Sequence, residues 1–151
     1  RCRRGARCEC RRVLPRRARS YQRADSGEWR DLPVNLATWG DGGLWSTLDD
    51  LVVAEAHWLD DWRREGPNAL LARCARQDER FGPAGQPYSF GIEVMTHGDR
   101  PLHFHGGGYA GFSSLVLRHL SDGVALIVLA NVEGFDASAA TWSGRLWDRA
   151  G

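Results

Sequence analysis

The sequence predicts an α+β fold in which an antiparallel sheet is covered by helices. Three observations carry that expectation: apolar residues at helical spacing before residue 76, period-two alternation after residue 88, and turn residues too closely spaced to admit crossover helices between the later strands. Tyr21 to Trp39 is polar, with turn residues at Asp25-Ser26-Gly27 and Leu32-Pro33. It reads as loop with one short strand. Gly40-Asp41-Gly42-Gly43 follows as a flexible corner. Ser46-Thr47-Leu48-Asp49-Asp50 then has the form of a helix N-terminus, with Ser46 as the capping hydroxyl and acids suited to the positive helix end. Leu48, Leu51, Val52, Leu59 and Trp62 recur at helical spacing and predict an amphipathic helix over 48–64. Gly66-Pro67 stops it, and Pro67 opens a second, shorter helix through residue 76.

From residue 88 the period changes. Tyr88, Phe90, Ile92 and Val94 alternate with Ser89, Gly91, Glu93 and Met95, as a half-buried strand requires. His97-Gly98-Asp99-Arg100 is a turn, and 101–105 is the returning strand. Two further strands, 112–120 and 123–132, join through Ser121-Asp122-Gly123, where Asp-Gly signals a hairpin. The stretch 136–149 reads as a closing helix with Gly144 inside it. No internal repeat is present.

The 151 residues are 42% hydrophobic and 26% charged, a balance able to furnish one modest core. Twenty cations face nineteen acids, so the net charge of +1 gives no support for nucleic acid as a partner of the whole chain. The distribution is uneven: residues 1–19 hold nine Arg and one Glu, and the remainder eleven Arg against eighteen acids. Residues 1–19 read as an Arg- and Cys-rich, poorly ordered leader, with nucleic-acid contact as the alternative, and residues 20–151 as the domain. Cys2, Cys8, Cys10 and Cys74 match no zinc spacing and read as free thiols, with a disulfide pair as the alternative. No run of about eighteen apolar residues exists, so no membrane-spanning helix is predicted. No export signal is read, and the compartment stays unassigned. All twenty cations are Arg, which excludes from this chain any step that needs a lysine amine.

The densest chemical signal is His103-Phe104-His105-Gly106-Gly107-Gly108-Tyr109-Ala110-Gly111-Phe112-Ser113-Ser114. Glycines weaken strands and mark close backbone approach, so four of them in six positions beside two histidines invite a functional reading. His103 and His105 share a strand face and could hold one metal ion, but no Asp, Glu or Cys completes a ligand set. Gly106, Gly108 and Gly111 satisfy G-x-G-x-x-G, yet the run precedes strand-like residues rather than a helix. An oxyanion-type site on a sheet edge uses every feature: glycines admit a carbonyl to backbone N–H groups, and a basic side chain stands beside them. A Gly-rich loop with surface histidines is the plain alternative. His57, His97 and His119 read as solvated or structural, and Ser46, Ser113 and Ser114 as a cap and strand residues rather than nucleophiles.

The segment from His105 to Ser114 resembles the third motif of the serine β-lactamase and penicillin-binding-protein superfamily. In the class C, esterase and D-aminopeptidase branch, Lys-Thr-Gly is often His-x-Gly followed by Gly-Phe. Gly40-Asp41-Gly42-Gly43-Leu44-Trp45-Ser46-Thr47-Leu48-Asp49-Asp50-Leu51 resembles the family's Gly-Gly-Leu-x-Ser-Thr-x-x-Asp-Leu helix start. Tyr88-Ser89-Phe90-Gly91-Ile92 is similar to its Tyr-Gly-x-Gly-Trp strand, and residues 124–131 to its hydrophobic strand ending in Asn. Ala18-Arg19-Ser20-Tyr21 is similar to an upstream Ala-x-Gly-Tyr. The resemblance implies that His105 orients or stabilises substrate and that the Gly108 N–H supplies half of an oxyanion hole. It also implies that Gly106, Gly107 and Tyr109 line the substrate, with no cofactor and no metal. Gly106 replaces the family's hydroxyl-bearing residue. Neither Ser-x-x-Lys nor Tyr-x-Asn is present. The chain is therefore expected to be the C-terminal portion of such a hydrolase, whose N-terminal half would be its partner. It is expected to be inactive alone toward the small-molecule amide or ester that the intact relative would cleave. A non-catalytic binding module is the alternative.

Overall fold

The computed structural model describes residues 15–34, 42–66, 69, 88–89, 91–98 and 100–147. The second helix expected after Pro67, the four cysteines, Gly40, Asp41, Phe90 and most of the Arg-rich leader lie outside the described residues. The elements are β1 (Ser20–Arg23), β2 (Trp29–Leu32), α1 (Leu48–Glu65), β3 (Tyr88–Ser89), β4 (Ile92–His97), β5 (Arg100–Tyr109), β6 (Phe112–His119), β7 (Val124–Ala130) and α2 (Ala139–Trp147). β1 and β2 form a two-stranded antiparallel sheet, and β3 to β7 a five-stranded antiparallel sheet in chain order. The fold is α+β, as the periodicities predict.

Two turns of the five-stranded meander show their local cause. Tyr109 pairs with Phe112 across Ala110 and Gly111, both at positive φ (47° and 76°), as a two-residue type I′ hairpin requires. Gly123 takes φ 66° after β6, and buried His119 holds its Nδ1 2.8 Å from the Asp122 carboxylate.

Side chains alternate across the pleat, and the register sorts them into two layers. Leu102 and Phe104 of β5, Leu115 and Leu117 of β6, and Leu126 and Val128 of β7 share one face and pack with Ala139 and Trp142 of α2. Truncating a fully buried leucine here to alanine removes about 2–5 kcal/mol. Leu120, Ile92 and Ala125 pack on the other side against Trp58, Leu59 and Trp62 of α1. The sheet is thus covered by a helix on each face.

Four expectations are corrected. The run from Tyr88 to Met95, read as one alternating strand, is divided between β3 and β4, which pair as a hairpin with Gly91 at φ 75° between them. The α1 cap is Thr47, whose hydroxyl accepts from Asp50 N at 3.1 Å; Ser46 instead donates to the Thr47 carbonyl at 3.4 Å. Leu48 and Val52, placed by spacing on the apolar stripe, are exposed, and Glu55 is buried in their stead. The stretch after Tyr21 is a hairpin of two strands rather than loop with one, turning at Gly27 with φ 87°. Its strands carry little apolar alternation, which is why periodicity misses the second of them. This hairpin joins the end of β7: Tyr21 N donates to Asn131 O at 2.9 Å and Glu133 N to Tyr21 O at 2.8 Å. Asn131 Nδ2 also donates to the Arg19 carbonyl at 2.9 Å.

Candidate functional site

The glycine run is strand, not loop. Pairing with β6 continues without a break from His103↔Arg118 through Gly106↔Leu115, Gly107↔Ser114 and Gly108↔Ser113 to Tyr109↔Phe112. On its other side β5 pairs with β4 only as far as Glu93↔Phe104. Residues 105–109 therefore have a neighbour on one side and, among the described residues, none on the other. In an antiparallel ladder alternate peptide groups address alternate neighbours, so every second N–H and C=O in this half of β5 faces away from β6. The expected sheet edge arises inside a strand that is central elsewhere.

The run needs small residues for access more than for backbone freedom. A Cβ at Gly106 or Gly108 would make ordinary contacts, at 3.7 Å and 3.8 Å from the nearest atoms, whereas one at Gly107 would come within 3.1 Å of Ser114 Oγ. Three successive glycines leave both faces of the open edge bare, so a ligand carbonyl meets backbone before side chain.

His105 is exposed, with Val116 opposite it on β6. Its Nε2 lies 3.4 Å from the Tyr88 hydroxyl, and the two rings are tilted with centroids 6.1 Å apart. Tyr109, at the end of the run, is also exposed. Beyond it Phe112 meets Trp45 edge-on at 5.2 Å, and the Arg17 guanidinium stacks over Trp45 at 4.5 Å. The sequence-derived residues His105, Gly106, Gly107, Gly108 and Tyr109 thus lie along one open strand segment. Tyr88, Trp45 and Arg17 were not foreseen beside them, since no spacing rule links β3 or residue 17 to β5.

Two residues before His105 and on the same face, His103 is buried, and its Nδ1 has no hydrogen-bond partner among the described residues. Burial, reinforced by the charge of Arg118 opposite, lowers its pKa from 6.5 to about 4. Arg118 in turn donates from Nε to Glu55 Oε2 at 2.5 Å and from Nη2 to Oε1 at 2.7 Å, a buried bidentate pair between β6 and α1. His103 and His105 share a face, as period two requires, but only His105 is open to a ligand. No group of three His, Cys, Asp or Glu side chains among the described residues is placed to hold a metal ion. No described helix is long and apolar enough to cross a membrane.

No family model matches the chain, and no solved structure matches it. Over 120 residues the chain is 27% identical to a D-aminopeptidase of Gluconobacter oxydans (strain 621H), a match that takes in 80% of this chain. The chain spans 22% of that relative's length.

Proposed function

We propose that the chain is the C-terminal portion of a β-lactamase-related serine hydrolase that cleaves a small amide or ester. The observation that carries this is the open half of β5, where His105 and three glycines face a free strand edge. The similarity to a D-aminopeptidase supports a hydrolase of this type, and the order of the motifs supports the same family.

The residues present account for the electrophile's side of acyl transfer. A scissile carbonyl lying against β5 would accept from the Gly108 N–H, one of the donors an oxyanion needs at about 2.7–3.1 Å. His105 would donate to, or hold the proton of, the group flanking that carbonyl. Gly106 and Gly107 admit the substrate backbone, and Tyr109 borders it. Attack requires a nucleophile and its base. In this family they come from Ser-x-x-Lys, and a chain without lysine cannot contribute that pair. The proposal therefore assigns the nucleophile to another segment of a longer protein.

The test uses a fluorescent acylating probe and a chromogenic ester, on the 151-residue chain and on the protein encoded with its upstream sequence. The expected result is no labelling of the chain alone, serine labelling of the longer protein, and a loss of about 10²-fold or more in turnover on His105→Ala in the latter. Stoichiometric labelling of the 151-residue chain would sink the proposal. So would salt-sensitive nucleic-acid binding without hydrolysis in the longer protein, which would favour a binding module.

A further inference from the structure

We propose that Tyr88 is a positioning residue for His105, donating its phenolic hydrogen to Nε2 and so fixing the imidazole as the Nδ1–H tautomer. The proposal rests on the hydrolase reading for the use made of the ring, and on the fold for the contact itself. The registers place Tyr88 opposite Glu93, and Glu93 opposite Phe104, the residue before His105. Tyr88 is thus two strands from β5, about 9–10 Å along the hydrogen-bonding direction. The β4–β5 ladder ends at Glu93↔Phe104, one residue short of His105, and Gly91 turns the chain at φ 75° just before β4. A tyrosine is long enough to cross that gap, and its hydroxyl arrives 3.4 Å from Nε2.

Chemistry fixes the direction of the bond. Either atom can serve as donor or acceptor. The phenol is the stronger acid and the imidazole nitrogen the stronger base, so the favoured arrangement has oxygen donating and Nε2 accepting. A neutral ring that accepts at Nε2 carries its proton on Nδ1. The separation is at the long end for such a bond, as contacts of catalytic groups often are before a ligand binds. Among the described residues the His105 ring makes no other hydrogen bond, which leaves Nδ1–H as a donor of fixed position on an exposed side chain. Rotating the ring to present Nε2 instead would break the Tyr88 bond. The site is thereby biased toward substrates that place an acceptor oxygen, a carbonyl or carboxylate, next to the scissile group.

Long-range proton–nitrogen NMR on the 15N-histidine-labelled chain, at a pH where imidazole is neutral, reads the tautomer directly. The expected result is a protonated-type shift for His105 Nδ1 and an unprotonated-type shift for Nε2. Tyr88→Phe should move the ring back toward Nε2–H, the form free histidine prefers, with the His103 signals unchanged as the check on folding. An Nε2–H tautomer in the unaltered chain overturns the proposal, even if Tyr88→Phe does not fold, and so does a tautomer indifferent to that substitution. In the longer protein Tyr88→Phe should lower kcat/KM by roughly tenfold, the scale of one lost hydrogen bond. The two readings separate cleanly. Nδ1–H in a longer protein that shows neither serine labelling nor hydrolysis keeps the positioning and removes the hydrolase, whereas Nε2–H with hydrolysis lost on His105→Ala does the reverse.

Discussion

His103 and His105 are two residues apart on one strand face and have opposite surroundings. The buried ring of His103, its pKa lowered to about 4, resists protonation in the folded state, while the unfolded chain takes up a proton near 6.5. The unfolded state therefore binds more protons between these values, and stability falls as pH drops through that window. It is fully present above about pH 6.5 and levels off below about 4, so far as this group is concerned. Thermal melts across the window should show a falling Tm that flattens in His103→Asn; an equal slope in both proteins would refute the assignment. The Asp136 carboxyl, held below its usual range first by the Thr141 hydroxyl and then by the Ser138 amide, loses its contribution at lower pH and does not blur this window. Gly111 is a second decisive residue. It combines φ 76° with a site where a Cβ would come within 3.1 Å of both the Ser20 side chain and the Tyr21 carbonyl. Gly111→Ala should cost about 2–3 kcal/mol, seen as a Tm lower by several degrees. The histidine spacing was legible as a shared face; which ring would be buried was not, because that depends on Arg118 and α1, far away in sequence.

At the scale of elements, α1 shows what periodicity can and cannot deliver. The helix, its acidic first turn and its stop at Gly66 follow from local signals, and Gly66 N–H indeed closes on the Trp62 carbonyl. The buried stripe does not follow, since it runs through Glu55 rather than Val52. A carboxylate is misplaced on an apolar face unless a partner is waiting, and the partner sits 63 residues on. Glu55→Ala should destabilise by about 3–5 kcal/mol, because it strands a buried guanidinium. Replacing both members, Glu55→Leu with Arg118→Met, should recover most of that loss. A double-mutant cycle by urea unfolding measures the coupling, and additive losses would show that the pair is not the tie between helix and sheet. β5 gives the complementary lesson. Its glycines argue against a strand locally, yet β6 supplies an unbroken register that carries them as one.

For the whole molecule, the meander was readable in part: successive strands pair with their chain neighbours, and the turns at His97-Gly98-Asp99-Arg100 and Ser121-Asp122-Gly123 announce themselves, whereas the turns at Gly91 and at Ala110-Gly111 fall inside runs read as a strand and as a ligand site. The candidate site was readable in part. His105 and the glycines stand together in sequence, so a motif finds them; Tyr88 and the Trp45–Arg17 stack reach the same place through tertiary folding, and no linear pattern joins them. What the chain lacks is as informative as what it holds. Without a lysine it cannot hold the Ser-x-x-Lys pair of the proposed family, and what it does hold is a strand segment, residues 105–109, left unpaired on one side among the described residues.

The junction between Tyr21 and Val132 bears on the order of events in folding. The β3 to β7 sheet grows by hairpins between adjacent segments, each closing a short loop at small entropic cost. The parallel bridge from Tyr21 to Val132, by contrast, must close more than a hundred residues of chain. The β1–β2 hairpin should therefore dock after the folding barrier, giving a φ-value near zero for Ser20, whose buried hydroxyl donates to the Leu32 carbonyl within that hairpin. In stopped-flow chevrons Ser20→Ala should then raise the unfolding rate while leaving the refolding rate almost unchanged.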